Sequence, residues 1–511
     1  MKLTRKQFLG VVAASGAAGL GSAIARSDSA AAAEPSEALA EPPKKLEKAA
    51  IKGSTAAVAR FIRQTTLKDV PQEAIAQATR CLVDGFGVIL AGSTVEGSHI
   101  VREYVKAGTE RREATVLGAG GLQSSVAYAA LANGASGHAM DFDDTQLSTT
   151  PDRTYGLLTH PTLPALCAAL AVAERQNVSG AAFLEAFLVG FEVECKIAEA
   201  IDPAHYNHGF HSSGTIGTFG AAAAAAKLMA LDERALAHML AITSSVAAGI
   251  RVNFGSMTKP LHVGRAAENG VFAADLARRG FTGGDDGLDG EWGFFQVLGG
   301  GADLDRVNPI LGKPWSIVTP GVSVKPYPCG VLSHPSMDAM LKVVTERDLK
   351  PEQVKAVRLR AGSNILQPLR YKTAKTELEA KFCVPFLLSS ILLRRRAGVR
   401  EFTDAFVSSA PVQQMMEKVT TVFDQQIEAQ GFEKIRSIVE IDLVNGQTIV
   451  QPSDDRYRGG PDRPFTREEL HAKFSDCAQL TMSAERMTKA LAAIEGVQEM
   501  PSVRTLVVAV A

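Results

Sequence analysis

The sequence has few aromatic residues and no cysteine motif. Aromatics make up 6% of its 511 residues, and its six cysteines form no CxxC pair and no Cys/His cluster with zinc spacing. An iron–sulfur cluster would normally need four thiolates, often closely spaced, and this spacing is missing. The composition therefore predicts scattered free thiols, and it predicts neither a metal site nor a cofactor that depends on cysteine.

Charge of one sign is also lacking. The formal net charge is −1, and no basic tract with interleaved aromatics occurs, which argues against a nucleic-acid partner. A small acidic substrate is still compatible with this balance, because a local pocket can be positive in a neutral protein. The length predicts two domains, and the 46% hydrophobic content predicts cores built from Ala, Leu, Val and Ile.

The first residues read as a targeting segment. Lys2, Arg5 and Lys6 precede a run of small and apolar residues, 8–25, and residues 27–33 are suited to cleavage. This predicts an export signal over 1–33, twin-arginine-like with Lys6 replacing the second arginine, and a linker over 34–48. Because glycines interrupt the run, we expect no membrane anchor in the mature chain. The expected location is periplasmic or exported, or cytoplasmic if the signal is not used.

The remaining chain predicts a mainly α fold with an α+β part. Residues 49–311 carry helical apolar patterns throughout, which indicates a large all-helical domain. Residues 312–455 change character, with an alternating strand at 353–362 and a hairpin around Asn445-Gly446. We expect this part to form a smaller α+β lid domain. Residues 456–511 are again helical and are expected to return to the helical domain.

Three basic residues each stand directly before a proline that begins a helix. They are His160, Lys259 and His334. A helix start offers unpaired N–H groups and a positive dipole end, so converging starts would form a pocket for a small polycarboxylate. Coincidence is the competing interpretation, because such dipeptides are individually common.

Two further groups of polar residues stand out. His138, Asp141 and Thr145 would share one face of a helix, and Asp143-Asp144 complete an acidic cluster in which neighbouring carboxylates raise one another's pKa. A capped helix end or a magnesium site is the alternative.

The second group is His205, His208 and His211. It lacks the spacing of a metalloprotease helix, and a loop is the expected structure. Only His211 is expected to be functional, while His205 and His208 are expected to be solvated.

In combination, these segments resemble the MmgE/PrpD family. The similar stretches are residues 132–145, 160–165, 211–231, 255–270, 325–334 and 460–470. The resemblance implies a helical domain, an α+β lid, a site between them, a homodimer and no cofactor. It implies a lyase that dehydrates or decarboxylates a small di- or tricarboxylic acid such as 2-methylcitrate or cis-aconitate.

The resemblance also places the candidate site residues. We assign catalysis to Asp141, His160, Lys259 and His334, and substrate binding to Thr145, His211, His138 and Lys325, without a metal. In this hypothesis Lys259 and His211 hold carboxylates, and His160 or His334 transfers the proton.

One departure from the family pattern concerns the substrate. An insertion over 146–159 separates Thr145 from His160 and leaves the identity of the substrate open. An epimerase or isomerase on the same scaffold, an exported organic-acid binding protein and a metal-dependent enzyme are the alternatives.

Overall fold

The computed structural model describes residues 53–148, 159–201, 204–431 and 433–511. The predicted export signal and linker lie outside the described residues, as does most of the insertion between Thr145 and His160. The structure contains fifteen described helices of eight residues or more, labelled in chain order: α1 Gly53–Gln64, α2 Gln72–Gly92, α3 Glu96–Ala107, α4 Val126–Ala139, α5 Thr162–Gln176, α6 Gly180–Ile201, α7 Gly217–Leu228, α8 Glu233–Val246, α9 Thr258–Arg278, α10 His334–Glu346, α11 Val384–Arg394, α12 Ala410–Glu417, α13 Arg467–Ala478, α14 Ala484–Glu495 and α15 Val503–Val510.

Small residues set the spacing of the central helices α4 to α7 and α9. A Cβ atom on Gly134 of α4 would lie 2.9 Å from the Cα atom of Gly264 of α9, so these two backbones touch. The two helices run in opposite directions through this contact. The end of α4, with His138, consequently meets the start of α9, with Lys259.

The alanine-rich helix α7 fills the middle of this bundle. Its residues 221–226 are all buried, and a Cβ atom on Gly190 of α6 would lie 2.5 Å from the carbonyl oxygen of Gly220. A separate short helical turn, Ser212–Thr215, precedes α7. His211 stands directly before this turn and therefore lies near the start of α7.

The α+β part contains a four-stranded sheet with the order β4-β3-β5-β6. The strands are β3 Val354–Ala361, β4 Val419–Phe423, β5 Ser437–Leu443 and β6 Thr448–Pro452, and two short strands, β1 Ala114–Thr115 and β2 Gln123–Ser124, pair in the helical part. β3 runs parallel to β4 and antiparallel to β5, with Val357 opposite Val419 and Ile441.

The sheet has one apolar and one charged face. Val357 and Leu359 of β3 and Val439 of β5 are buried in a core shared with α10 and α11. On the other face, Arg358 and Arg360 form ion pairs with Glu440 at 3.0 and 2.9 Å. The predicted strand and hairpin are confirmed, whereas β4 was missed, because its exposed positions break the alternating pattern. The mainly α fold with an α+β part is confirmed.

The last three helices pack on the helical part of the chain. Phe474 of α13 contacts α2 near Gly87, where an added Cβ would lie 3.2 Å from its ring. Lys473 is buried and its ammonium group lies 2.6 Å from Asp84 of α2 and donates to the carbonyl oxygen of Phe142. Helix α2 is long and apolar enough to cross a membrane, but most of its surface is buried in this core.

Candidate active site

The loop after α4 carries the centre of the site. The helix ends at Ala139, and Asp141 adopts a left-handed backbone conformation with φ of 52°, so His138, Asp141 and Thr145 do not share a helix face as predicted. Thr145 then forms a two-hydrogen-bond bridge with Ser323, at 2.9 and 2.8 Å. This bridge brings Lys325, two residues after Ser323, against Asp141.

Asp141 holds two lysine ammonium groups with one oxygen. Its Oδ1 accepts hydrogen bonds from Lys259 at 2.9 Å and from Lys325 at 2.7 Å, and all three side chains are buried. Burial alone would raise the pKa of Asp141, but the two lysines hold it well below its usual value. Asp141 is therefore ionised, and the cluster carries one more positive than negative charge.

His138 lies behind this cluster and orients it. Its Nδ1 lies 2.8 Å from Asp143, and its Nε2 lies 2.9 Å from the ammonium group of Lys259. Because an ammonium group can only donate, His138 accepts through Nε2 and donates through Nδ1. Burial lowers the pKa of His138, although Asp143 opposes this shift, so the imidazole is neutral.

His160 is fixed in one tautomer. Its Nδ1 lies 2.7 Å from the carbonyl oxygen of Asp144, which can only accept, so Nδ1 bears the proton. Thr145 Oγ1 lies 3.2 Å from the same nitrogen. Burial lowers the pKa of His160 well below its usual value, so the neutral ring offers Nε2 as a base. This geometry suits proton removal by His160.

The acidic cluster behaves differently from the sequence prediction. The carboxylates of Asp141 and Asp143 have lowered pKa values, because neighbouring cations and histidines outweigh burial. Only Asp144 has a raised pKa, to about 7, mainly because of burial. Its carboxyl group accepts from Thr162 Oγ1 at 2.7 Å at the start of α5, which is a positioning contact.

His211 and His262 form a pair of imidazoles. Their Nδ1 atoms lie 3.0 Å apart. Within the part of the chain that the structure describes, Nε2 of His211 is buried without a hydrogen-bond partner. Burial, reinforced by Lys259, lowers the pKa of His211 well below its usual value.

A small cavity separates the helical part from the α+β part. Its volume is about 40 Å³, and its polar lining consists of Asp141, Thr145, His160, His211, Lys259 and Lys325. Phe254, Leu332, Leu369 and Phe382 form much of its apolar lining. The ammonium group of Lys259 lies 5.3 Å from the ring centre of Phe254 and 5.6 Å from that of Phe382. These aromatic faces help to keep a buried cation within the apolar wall.

Six of the eight predicted site residues thus border one cavity, and two do not. His138 is behind Lys259, and His334 is fully buried against the ring of Tyr327, with ring centres 5.4 Å apart. Among the described residues His334 is not part of the cavity lining, so its role as the proton-transfer group stays a prediction. Burial lowers the pKa of His334 well below its usual value, and its charged neighbours are Lys325 and Asp141.

The predicted helix starts are displaced by one or two residues. The helix after His160 begins at Thr162, whereas Lys259 and His334 themselves lie in the first turns of α9 and α10. His160 and Lys259 still converge on the cavity. His205 was also misjudged, because it is buried and its Nε2 lies 2.6 Å from Thr215 Oγ1, while His208 is exposed as expected.

Two groups of side chains have the composition of a metal site. The ligand atoms of His138, His160 and His211 lie within 4.8 Å of one another, as do those of His138, Asp141 and Asp143. Both groups need His138, whose two nitrogens already contact Asp143 and Lys259. An ammonium group 2.9 Å from a ligand nitrogen repels a cation, so the geometry favours an anion instead.

Sequence reasoning missed the apolar residues of the site and the contact of His262. Phe254, Leu332 and Phe382 come from three distant segments and carry no motif, so no pattern in the sequence marks them. His262 stands one helical turn after Lys259, and that spacing alone could have drawn attention to it.

The chain is similar to known proteins over most of its length. The MmgE/PrpD N-terminal domain matches residues 56–307, and the MmgE/PrpD C-terminal domain matches residues 327–496. Cis-aconitate decarboxylase of Homo sapiens is 29% identical over 465 residues, which cover 88% of this chain and 93% of that protein. Cis-aconitate decarboxylase of Mus musculus is 28% identical, covering 88% and 92%. Cis-aconitate decarboxylase-like protein oryM of Aspergillus oryzae is 25% identical, covering 85% and 92%. The chain belongs to the MmgE/PrpD family.

Proposed function

We propose that this protein is a cofactor-independent lyase that removes carbon dioxide or water from a small di- or tricarboxylic acid, with cis-aconitate and 2-methylcitrate as the first candidates. One observation supports this most strongly: Lys259 and Lys325 share a single oxygen of Asp141 in the wall of a buried cavity. Because the two ammonium groups share one carboxylate oxygen, their remaining N–H groups are available to donate to a substrate carboxylate. The names of the relatives favour decarboxylation of cis-aconitate.

The positive wall suits the charge that develops in the reaction. When the bond to a leaving carboxylate breaks, its electron pair stays on carbon and spreads into a neighbouring unsaturated or carboxylate group. Lys259 and Lys325 are fixed before the reaction and desolvated, so they stabilise this charge without reorganisation. The same two groups would stabilise the enolate-like charge that forms when a proton leaves carbon during dehydration.

Each polar side chain has a role that its contacts support. The ionised Asp141 can accept a hydrogen bond from a substrate hydroxyl, because its Oδ2 has no partner among the described residues. His160, with its proton held on Nδ1, can take a proton through Nε2. Thr145 borders the cavity, and its hydroxyl can donate a hydrogen bond to the substrate. His211 also borders the cavity, and its Nε2, which has no partner among the described residues, can contact the substrate.

Substrate entry requires the cavity to open. A volume of about 40 Å³ holds roughly three water molecules, which is much less than a tricarboxylate needs. Two segments that line the cavity contact each other at its edge. Arg370 donates to the carbonyl oxygens of Phe254 at 2.8 Å and of Val252 at 3.4 Å, and the rings of Phe254 and Phe382 stack with centres 5.7 Å apart. We propose that these two segments separate when the substrate enters.

The test is a mass-spectrometric screen of di- and tricarboxylic acids for loss of carbon dioxide or water. Lys259→Ala and His160→Ala should each lower kcat by at least about a hundredfold, the scale of lost electrostatic or acid–base help. His208→Ala is the matched control, because this exposed histidine lies outside the cavity. Wild-type turnover in both site variants would refute the site.

An isomerase is the second candidate. His160 and His211 both border the cavity with ring centres 6.4 Å apart, so two proton-transfer groups could act on one substrate. Such an enzyme would incorporate solvent deuterium into the recovered acid without loss of carbon dioxide or water. The same screen run in deuterium oxide separates the two functions.

A further inference from the structure

Decarboxylation needs a proton donor beside the substrate carbon. In the reaction R–CO₂⁻ + H⁺ → R–H + CO₂, the carbon–carbon bond breaks and the carbon takes up one proton in each turnover. The cavity is small, about 40 Å³, so a side chain in its wall is well placed to deliver this proton directly. The following inference rests on the proposed function and concerns the route of this proton.

The two neighbouring imidazoles connect the cavity to an open groove. His211 borders the cavity, and its Nδ1 lies 3.0 Å from Nδ1 of His262. His262 borders a groove of about 970 Å³ on the other side, together with Ile250, Arg265 and Asn269. The pair therefore spans the wall between the reaction site and the outer surface of α9.

Facing Nδ1 atoms constrain the tautomers. Two neutral imidazoles at this distance form a hydrogen bond only if one Nδ1 bears the proton and the other accepts it. The direction that suits proton delivery has His262 donating to His211, which places the remaining proton of His211 on Nε2. That nitrogen belongs to the ring that borders the cavity.

The charges around the pair keep both rings neutral. Burial lowers the pKa of His262 to about 4, with further lowering by His138 and Lys259. Lys259 lies one turn earlier on α9, His138 is at the end of α4, and Arg265 and Glu268 stand on the groove side and pair with each other. A neutral relay avoids placing a third cation beside the two lysines of the cavity wall.

We propose that His262 relays protons from the groove through His211 to the substrate carbon. His211 Nε2 donates its proton to the carbon that lost carbon dioxide, His211 Nδ1 takes the proton of His262 Nδ1, and His262 Nε2 takes one from water in the groove. The groove water that gave this proton is left as hydroxide. After the product leaves, a water molecule that enters the cavity protonates His211 Nε2, His211 Nδ1 returns its proton to His262 Nδ1, and His262 Nε2 returns one to the hydroxide, which restores both starting tautomers. His262 does not touch the substrate, so it acts as a relay residue for His211.

The test combines substitution with chemical rescue in the full-length protein. His262→Ala should lower kcat for carbon dioxide release by about a hundredfold, the usual scale of general acid catalysis, with little change in KM. Because the substitution opens space toward the groove, added imidazole should restore kcat in a saturable manner. The solvent deuterium effect on kcat should be larger in the variant than in the wild type.

Two further variants separate a relay from a structural role. His262→Gln keeps a hydrogen-bonding side chain of similar size, so it should fold as the wild type yet lose kcat. Arg265 borders the same groove, so Arg265→Ala is the matched control. This variant should keep the wild-type kcat, and added imidazole should not change it. Wild-type kcat in His262→Gln, or a loss in His262→Ala that imidazole leaves unchanged, would overturn the relay.

The outcome also separates this inference from the proposed function. A wild-type protein that releases carbon dioxide while its His262 variants behave as the wild type refutes only the relay. A wild-type protein that releases no carbon dioxide from any acid in the screen refutes decarboxylation and the relay together.

Discussion

Replacing Asp141 by asparagine removes the carboxylate charge that the two lysines contact while keeping nearly the same shape. Asp141 Oδ1 lies 2.9 Å from the ammonium nitrogen of Lys259 and 2.7 Å from that of Lys325, and all three side chains are buried. Loss of one partner from a buried ion pair typically costs about 3–5 kcal/mol, because an uncompensated charge stays inside. Here two cations would be left, so we expect the upper part of this range.

A second substitution shows whether the cost comes from the charge balance. Lys259→Met leaves Asp141 paired with Lys325, so it should destabilise the protein less than Asp141→Asn. In the double variant the methionine removes one of the two stranded cations. The double variant should therefore be destabilised by less than the sum of the two single destabilisations, and the difference should be about 0.5–3 kcal/mol.

The assay is urea unfolding at neutral pH, followed by circular dichroism, for the wild type, the two single variants and the double variant. At this pH the lowered pKa of Asp141 keeps the carboxylate ionised. A cost below about 1 kcal/mol for Asp141→Asn, or strict additivity in the double variant, would refute the account of a shared counter-ion.

Two further predictions concern the free energy of unfolding. Gly264→Ala should lower it by about 1–3 kcal/mol through overpacking, because the new Cβ would lie 2.5 Å from the carbonyl oxygen of Leu131. Gly284→Ala is the control, because its nearest contact would lie at 3.5 Å, and equal urea midpoints for the two variants would contradict this packing. Burial raises the pKa of Asp144 to about 7, so its contribution to the free energy of unfolding is present below about pH 4 and is lost as the pH rises through about 7. Asp144→Asn should consequently flatten the decline of the urea midpoint between about pH 4 and 7, and unchanged slopes would argue against a buried, protonated carboxyl group.

Helix and strand positions were readable from the sequence because they depend on local patterns. The hairpin at Asn445-Gly446 follows from turn chemistry, and it is present. The edge strand β4 was not readable, because only its first residue, Val419, is buried. Its place in the sheet depends on parallel pairing with a strand more than fifty residues earlier.

The candidate site was predictable as a set of residues but not as a geometry. The proline-linked His160 and Lys259 do converge, since each lies at the inner end of a helix. His334 has the same local signature, yet it is buried beside Tyr327 and is not among the described residues that line the cavity. A local pattern reports where a helix starts and carries no information on which side chain reaches the cavity.

By itself, the sequence determined the helical character, the α+β part and the residue types that can bind an anion, because propensities and short motifs act over a few residues. Only the tertiary structure decided that Asp141 is shared by Lys259 and Lys325 and that His262 touches His211. Those contacts depend on a glycine crossing between α4 and α9 and on the bridge from Thr145 to Ser323. Charges that lie far apart along the chain acquire shifted pKa values only when folding brings them together and removes water.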